Sequence, residues 1–156
     1  MFKEFMLATI GAHKGTSMET LVLKRPDYIN WLAHYDAKGQ LEVMKTEAVR
    51  LVAVFAAKRL VVSCSAEGCK RDASHFSVYG PDVVPMCWCA ECDPHLLGAQ
   101  RGKIQLMQTY RQCLAHVTRH CGAEKRAYLE IIKRVARIKG LGKRVVEPQA
   151  VAFFSG

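Results

Sequence analysis

Apolar residues recur at spacings of three and four along most of this 156-residue chain, which is the pattern of amphipathic helices. The clearest run extends from Gln40 to about Arg59, and its apolar positions are Leu41, Met44, Ala48, Leu51, Val52 and Phe55. Two shorter helices are predicted on either side of Pro26, because proline breaks or restarts a helix. Together these helices predict an N-terminal helical module over residues 1–60.

Two local features refine this module. Thr16 and Glu19 have the spacing of a capping box, so the first helix is expected to begin there. Tyr28 and Trp31 are expected to be buried, because large aromatic side chains dominate small cores.

The last third of the chain has a second helical pattern. A long helix is predicted from about Lys103 to His120, and another from about Ala123 to Lys139. We expect the two to pair as a helical hairpin over residues 99–156, with one apolar face and one basic face. The tail after Arg144 is expected to be poorly ordered or to depend on a partner.

The middle of the chain lacks helical periodicity and holds five of the seven cysteines. Alternating apolar residues around the turn "GPD" suit a short β-hairpin. The predicted fold class is therefore mainly α with a small zinc-stabilised β-hairpin (α+β). Its segments are the helical module (1–60), a four-cysteine zinc-binding segment (61–98) and the basic helical hairpin with its tail (99–156).

The cysteine spacing predicts a metal site. Cys64 and Cys69 form a C-x4-C pair, and Cys89 and Cys92 form a C-x2-C pair. Two short cysteine pairs joined by a hairpin suit the tetrahedral coordination of Zn²⁺. No signal peptide opens the chain, so a reducing cytoplasm is expected, where such cysteines bind metal more often than they form disulfides. Structural zinc is the preferred interpretation; iron–sulfur, redox and chance clustering are the alternatives.

Other residues offer alternative ligands. Cys87 could replace Cys89, and His75 and His95 are reserve ligands. Cys113, His116 and His120 share one helical face and could hold a second metal, although a helix-packing face is preferred because a fourth ligand is not assured.

Charge is concentrated at the C-terminal end. Residues 1–99 carry 11 Lys/Arg and 11 Asp/Glu, whereas residues 100–156 carry 12 and 3. Such an excess favours a polyanionic partner through counterion release, and the alternative is a well-solvated helical surface in a basic protein. The predicted nucleic-acid contacts are Lys14, Arg126, Lys133, Arg134, Arg137, Lys139, Lys143 and Arg144.

The stretch "IGAHKGTSMETLVLKRPDYINWL" resembles the small C-terminal module that follows the nuclease domain in exonuclease X-type proteins. The matching residues are Gly11, His13, Lys14, Gly15, Pro26, Asp27, Tyr28, Trp31 and Leu32. Ile10 and Ala12 depart from the usual aromatic and lysine, which weakens any phosphate contact expected there. The resemblance implies an accessory module without catalytic residues. Independently of the family, the glycine-bracketed loop with Lys14 before a helix start has two interpretations, a phosphate-binding loop and a plain turn with a solvated lysine.

The expected function is a small, non-enzymatic, zinc-containing nucleic-acid-binding protein of phage or mobile-element type. DNA is preferred over RNA, and no membrane segment is expected. The alternative is a protein-interaction module or inhibitor that uses the basic face on an acidic protein, which exposure of Phe153 and Phe154 would favour. The sequence leaves the strandedness of the nucleic acid and the oligomeric state open.

Overall fold

A computed structural model describes residues 13–79, 81–92, 104–107 and 109–155. The elements are α1 (Met18–Lys24), α2 (Pro26–His34), α3 (Gln40–Ala57), β1 (His75–Tyr79), β2 (Pro85–Trp88), β3 (Ile104–Met107), α4 (Tyr110–His120), α5 (Lys125–Ile138) and α6 (Glu147–Ser155). The fold is mainly helical with a small antiparallel sheet, as the sequence predicted. Across these ranges, no helix combines the length and hydrophobicity needed to cross a bilayer.

The sheet contains the predicted hairpin and one strand that was not predicted. β1 lies between β2 and β3 and is antiparallel to both. Phe76 is the register partner of Cys87 on one side and of Met107 on the other. The prediction of a helix from Lys103 is therefore wrong at its start, because residues 104–107 pair with β1. α4 begins at Tyr110, where Thr109 and Gln112 form a capping box.

The first two helices meet at Pro26. Ser17, not Thr16, caps α1: its Oγ accepts a hydrogen bond from the Thr20 amide at 3.1 Å, so the predicted capping box of Thr16 and Glu19 is wrong. Pro26 occupies the first turn of α2, where the missing amide hydrogen costs nothing. The predicted helix break at this point is confirmed.

The helices from both ends of the chain share one hydrophobic core. The Phe55 ring of α3 lies 5.4 Å from that of Tyr110 in α4 and 6.2 Å from that of Phe153 in α6. The buried Tyr110 hydroxyl donates a hydrogen bond to the Val22 carbonyl at 2.8 Å. The division into three segments stays a prediction, but the first and last of them are packed together.

The expectations of a poorly ordered tail and of a buried Trp31 are both wrong. Residues 147–155 form α6, which buries Phe153 and Phe154 against α1 and α3, so the described part of the tail is ordered. This burial removes the exposed phenylalanines that would have favoured a protein-interaction module. Conversely, Trp31 was expected in the core but is 46% exposed. The buried side of α2 is formed by Ile29 and Leu32 instead.

Candidate metal centre and basic groove

The four predicted cysteine ligands come together at one point. The sulfurs of Cys64, Cys69, Cys89 and Cys92 all lie within 4.8 Å of one another, and those of Cys69 and Cys89 are 3.9 Å apart. Cys64 and Cys89 are buried, whereas Cys69 and Cys92 are partly exposed. This cluster can hold a metal ion.

A hydrogen-bonded loop shapes the first cysteine pair. The Cys64 amide donates to the Arg71 carbonyl at 2.8 Å, and the Cys69 amide donates to the Ala66 carbonyl at 3.0 Å. Gly68 has a φ of 76°, a left-handed conformation that glycine adopts without steric cost. The loop therefore turns back so that both of its sulfurs reach the same point.

The sheet fixes the second pair relative to the first. The Ser65 amide donates to the Cys87 carbonyl at 2.7 Å, and the Cys87 amide donates to Ser65 Oγ at 3.1 Å. Cys89 follows the end of β2 directly. The first loop is thus attached to the strand that delivers the second pair.

The surroundings of Cys89 favour a thiolate. Desolvation acts to raise the pKa of Cys89, but hydrogen bonds from the backbone amides of Cys92 and Glu91, and from neighbouring thiols, lower that pKa to about 6. Arg71 lies beside the same sulfur, and its own pKa is raised by hydrogen bonding to Cys89 and by the nearby Glu91 carboxylate. Arg71 also forms an ion pair with Glu91. Sulfurs that bind a metal carry negative charge, and the backbone amides and the Arg71 guanidinium beside Cys89 partly balance that charge.

Cys87 does not belong to the cluster. Its side chain is buried in the hydrophobic core, and burial, followed by the influence of Cys64, raises the pKa of its thiol to about 11. The structure therefore places Cys89 rather than Cys87 among the four. His75 Nδ1 lies 2.8 Å from Ser74 Oγ and is not part of the cluster. His95 lies outside the described residues.

The second predicted cluster is a packing face. Cys113 is fully buried in the core. His116 Nε2 donates to the Asp82 carbonyl at 2.7 Å, and Cys121 Sγ donates to the Pro81 carbonyl at 3.1 Å. Within the described ranges, these side chains form no group that could hold a metal. Their hydrogen bonds instead attach α4 to the turn between β1 and β2.

A basic groove lies between the end of α1, α5 and residues 143–146. Its volume is about 510 Å³. The basic side chains that line it are Lys24, Arg25, Lys133, Lys143 and Arg144, and the apolar ones are Leu23, Leu129, Val145 and Val146. Three of the predicted nucleic-acid contacts therefore share one concave surface.

Lys24 and Arg25 were missed by the sequence analysis, because the first 99 residues have no net charge. Only the packing of α1 against α5 brings these two residues beside the C-terminal cations. Arg25 is paired with Asp27 at 3.0 Å, and its hydrogen bonding holds the pKa of that carboxyl below its usual range.

The other predicted contacts lie outside the groove. Lys14, Arg126 and Arg137 are exposed, and Arg134 lies 3.7 Å from the carboxylate of Glu130. Gly11 lies outside the described residues.

Lys139 is not on the basic surface, which corrects the prediction. The residue is 5% exposed. Its Nζ donates hydrogen bonds to the carbonyls of Phe55 at 2.8 Å, Ala56 at 3.3 Å and Lys58 at 2.9 Å. Burial lowers the pKa of Lys139. Lys139 therefore stabilises the C-terminal end of α3 rather than binding a partner.

Comparison with known proteins adds no family to this description. No family model matches the chain, and no curated protein and no solved structure is significantly similar to it. The resemblance to the exonuclease X accessory module stays a prediction.

Proposed function

We propose that this chain is a non-enzymatic nucleic-acid-binding accessory protein, in which the four clustered cysteines hold a structural Zn²⁺ and the basic groove contacts phosphates. The resemblance of the N-terminal stretch to a nuclease accessory module is consistent with that role, with DNA preferred over RNA.

The sulfur geometry supports zinc. A tetrahedral site with Zn–S bonds of about 2.3 Å has sulfurs about 3.8 Å apart. The sulfurs of Cys69 and Cys89 are 3.9 Å apart, which fits this value. The other pairs of sulfurs are at most 4.8 Å apart, so a bound metal would draw them only slightly closer together. Four thiolates leave no open position for water, which is the composition of structural rather than catalytic zinc sites.

The zinc would stabilise a segment that has little core of its own. Residues 61–92 contribute few large side chains to the hydrophobic cluster, and their hydrogen bonds are mostly those of short loops and of the β1–β2 hairpin. Small segments of this kind need a metal or a disulfide in addition to apolar burial.

The groove is the observation that carries the nucleic-acid assignment. It places five cationic side chains around one cleft, and only Arg25 among them is paired with a carboxylate in the described structure. A phosphate backbone that enters such a cleft releases its condensed counterions, which favours binding. Contacts of this type position a protein without selecting a sequence.

Salt dependence tests this assignment. The affinity for a labelled duplex should fall steeply as salt rises, and each phosphate contact should contribute about 0.9 to the slope of log K against log salt. Changing Lys133→Gln and Arg144→Gln together should reduce the slope by about 2. Lys38→Gln, at an exposed position outside the groove, is the matched control and should leave the slope unchanged.

The contrary result is equally specific. If the double variant binds with the same affinity and slope as the wild type, the groove does not contact phosphate. Absence of binding at low salt, together with capture of an acidic protein, would favour the interaction-module alternative.

A further inference from the structure

A short series of aromatic rings lies on the solvent side of α2. Tyr28, Trp31 and Tyr35 are spaced i, i+3 and i+7, and therefore share one helical face. The centroids of Tyr28 and Trp31 are 5.7 Å apart, and those of Trp31 and Tyr35 are 4.8 Å apart with planes inclined by only 24°. His13 contacts the other end of the series, edge-on to Tyr28 at 4.7 Å. These four residues are called the aromatic series below.

Trp31 and Tyr35 are the exposed members of the aromatic series, whereas Tyr28 is half-buried and packs against the core. Trp31 is 46% and Tyr35 45% exposed, whereas Ile29 and Leu32 on the opposite side of α2 are fully buried. The buried pair already anchors the helix, so the rings of Trp31 and Tyr35 are not needed to attach it to the core. Exposed adjacent aromatic rings are typical of binding surfaces.

Basic side chains lie near both ends of the aromatic series. Lys14 follows His13 and is exposed, and Lys45 donates from Nζ to the Tyr35 carbonyl at 2.8 Å. At the Tyr28 end, Arg25 belongs both to the basic groove and to the ion pair with Asp27. A second cation, Lys125, lies 3.6 Å from the same carboxylate. The basic groove and the aromatic series are therefore separated by only two residues of α2.

We propose that the aromatic series binds the unpaired bases of single-stranded nucleic acid, while the adjoining groove holds the phosphates of the same strand. This inference rests on the proposed function and adds the form of the ligand. An aromatic ring can stack on a base only if a face of that base is free, which excludes bases inside a duplex. The neighbouring rings also restrict each other before a ligand arrives, so less side-chain freedom is lost on binding.

Three labelled probes of about 20 units test the proposal: oligo(dT), a backbone of the same length made of abasic sites, and a duplex. The wild type should bind oligo(dT) more tightly than the abasic strand. Trp31→Ala should weaken binding to oligo(dT) about tenfold, the size expected for loss of one stacked base, and leave the other two affinities within about twofold. Because Trp31 is exposed, this variant should fold, which its melting temperature can verify.

The matched control is Val43→Ala, which truncates another exposed apolar side chain, on α3. It should bind all three probes as the wild type does. Trp31→Phe keeps an aromatic face and should restore most of the affinity for oligo(dT). The slope of log K against log salt should be the same for Trp31→Ala and the wild type, because no cation is removed.

Fluorescence gives a second measurement. In a Trp88→Phe background, Trp31 is the only tryptophan, since the chain contains two. Its emission should be quenched by oligo(dT) and not by the abasic strand.

The outcomes separate this inference from the proposed function. The stacking role is overturned if the wild type binds oligo(dT) and the abasic strand with equal affinity, or if Trp31→Ala loses affinity equally for all three probes. In either case the basic groove still binds phosphate. Failure to bind any of the three at low salt would overturn both, and binding of an acidic protein at Trp31 would assign the surface to a different partner.

Discussion

Replacing Lys139 by methionine should destabilise the protein although it removes a buried charge. The ammonium group supplies hydrogen bonds to three carbonyls at the end of α3, those of Phe55, Ala56 and Lys58. The Phe55 carbonyl also accepts a hydrogen bond from the Lys58 amide at 3.3 Å and keeps that donor in the variant. Methionine is of similar length and apolar, so it fills the space but cannot donate.

The magnitude follows from two opposing effects. The bonds to Ala56 and Lys58 are partly buried, so loss of the donor costs about 1 kcal/mol for each of these two carbonyls, and the positive charge at a helix C-terminus contributes up to about 1 kcal/mol. Relief from burying the ammonium group offsets part of this loss. We expect a net decrease of about 1–2 kcal/mol in the free energy of unfolding, which corresponds to a melting temperature lower by about 2–8 °C for a chain of this size.

Chemical and thermal unfolding of Lys139→Met and the wild type measure this difference. The control is Lys125→Met at the start of α5, the helix whose C-terminal cap is Lys139; the Lys125 side chain is 71% exposed and the change should stay within about 0.5 kcal/mol. Below its melting temperature, Lys139→Met should bind nucleic acid as the wild type does. If Lys139→Met is as stable as the wild type, or if the fully folded variant binds nucleic acid more weakly, this role of Lys139 is refuted.

Three further changes probe other parts of the structure. Cys89→Ser should abolish stoichiometric metal binding, whereas Cys87→Ser should retain it; the reverse result, measured by elemental analysis, would show that the ligand has been misassigned. Burial raises the pKa of Glu19, so the folded state holds this proton more tightly than the unfolded state, and stability is lost as pH rises through the folded pKa. Glu19→Gln should therefore raise the melting temperature at pH 7 and lose that advantage below about pH 4, and a lower melting temperature at pH 7 would contradict this account. Phe153→Ala should cost about 3–4 kcal/mol in urea unfolding, and an unchanged stability would mean that α6 does not pack on the core.

The sequence predicted the features that depend on local spacing. The four cysteines, the break at Pro26 and the buried face of α3 each follow from residues close together in the chain, or from a spacing that one type of site requires. The burial of Met44, Ala48, Leu51 and Phe55 matches the predicted pattern.

Features that depend on distant contacts were missed. Residues 104–107 continue the apolar spacing of α4, and only pairing with β1 makes them a strand. Lys139 lies at the end of a helix rich in basic residues, and its burial follows from the position of the α3 carbonyls. Trp31 was misplaced because α2 has aromatic residues on one face and aliphatic residues on the other, and helical periodicity alone does not show which face meets the core.

Metal content is the most direct test of the proposed zinc centre. Elemental analysis of the purified protein should find one zinc per chain, and removal of that zinc with a chelator should lower the melting temperature and unfold residues 61–92 first. Protein that contains neither zinc nor iron, melts cooperatively and does not respond to chelator would contradict this account.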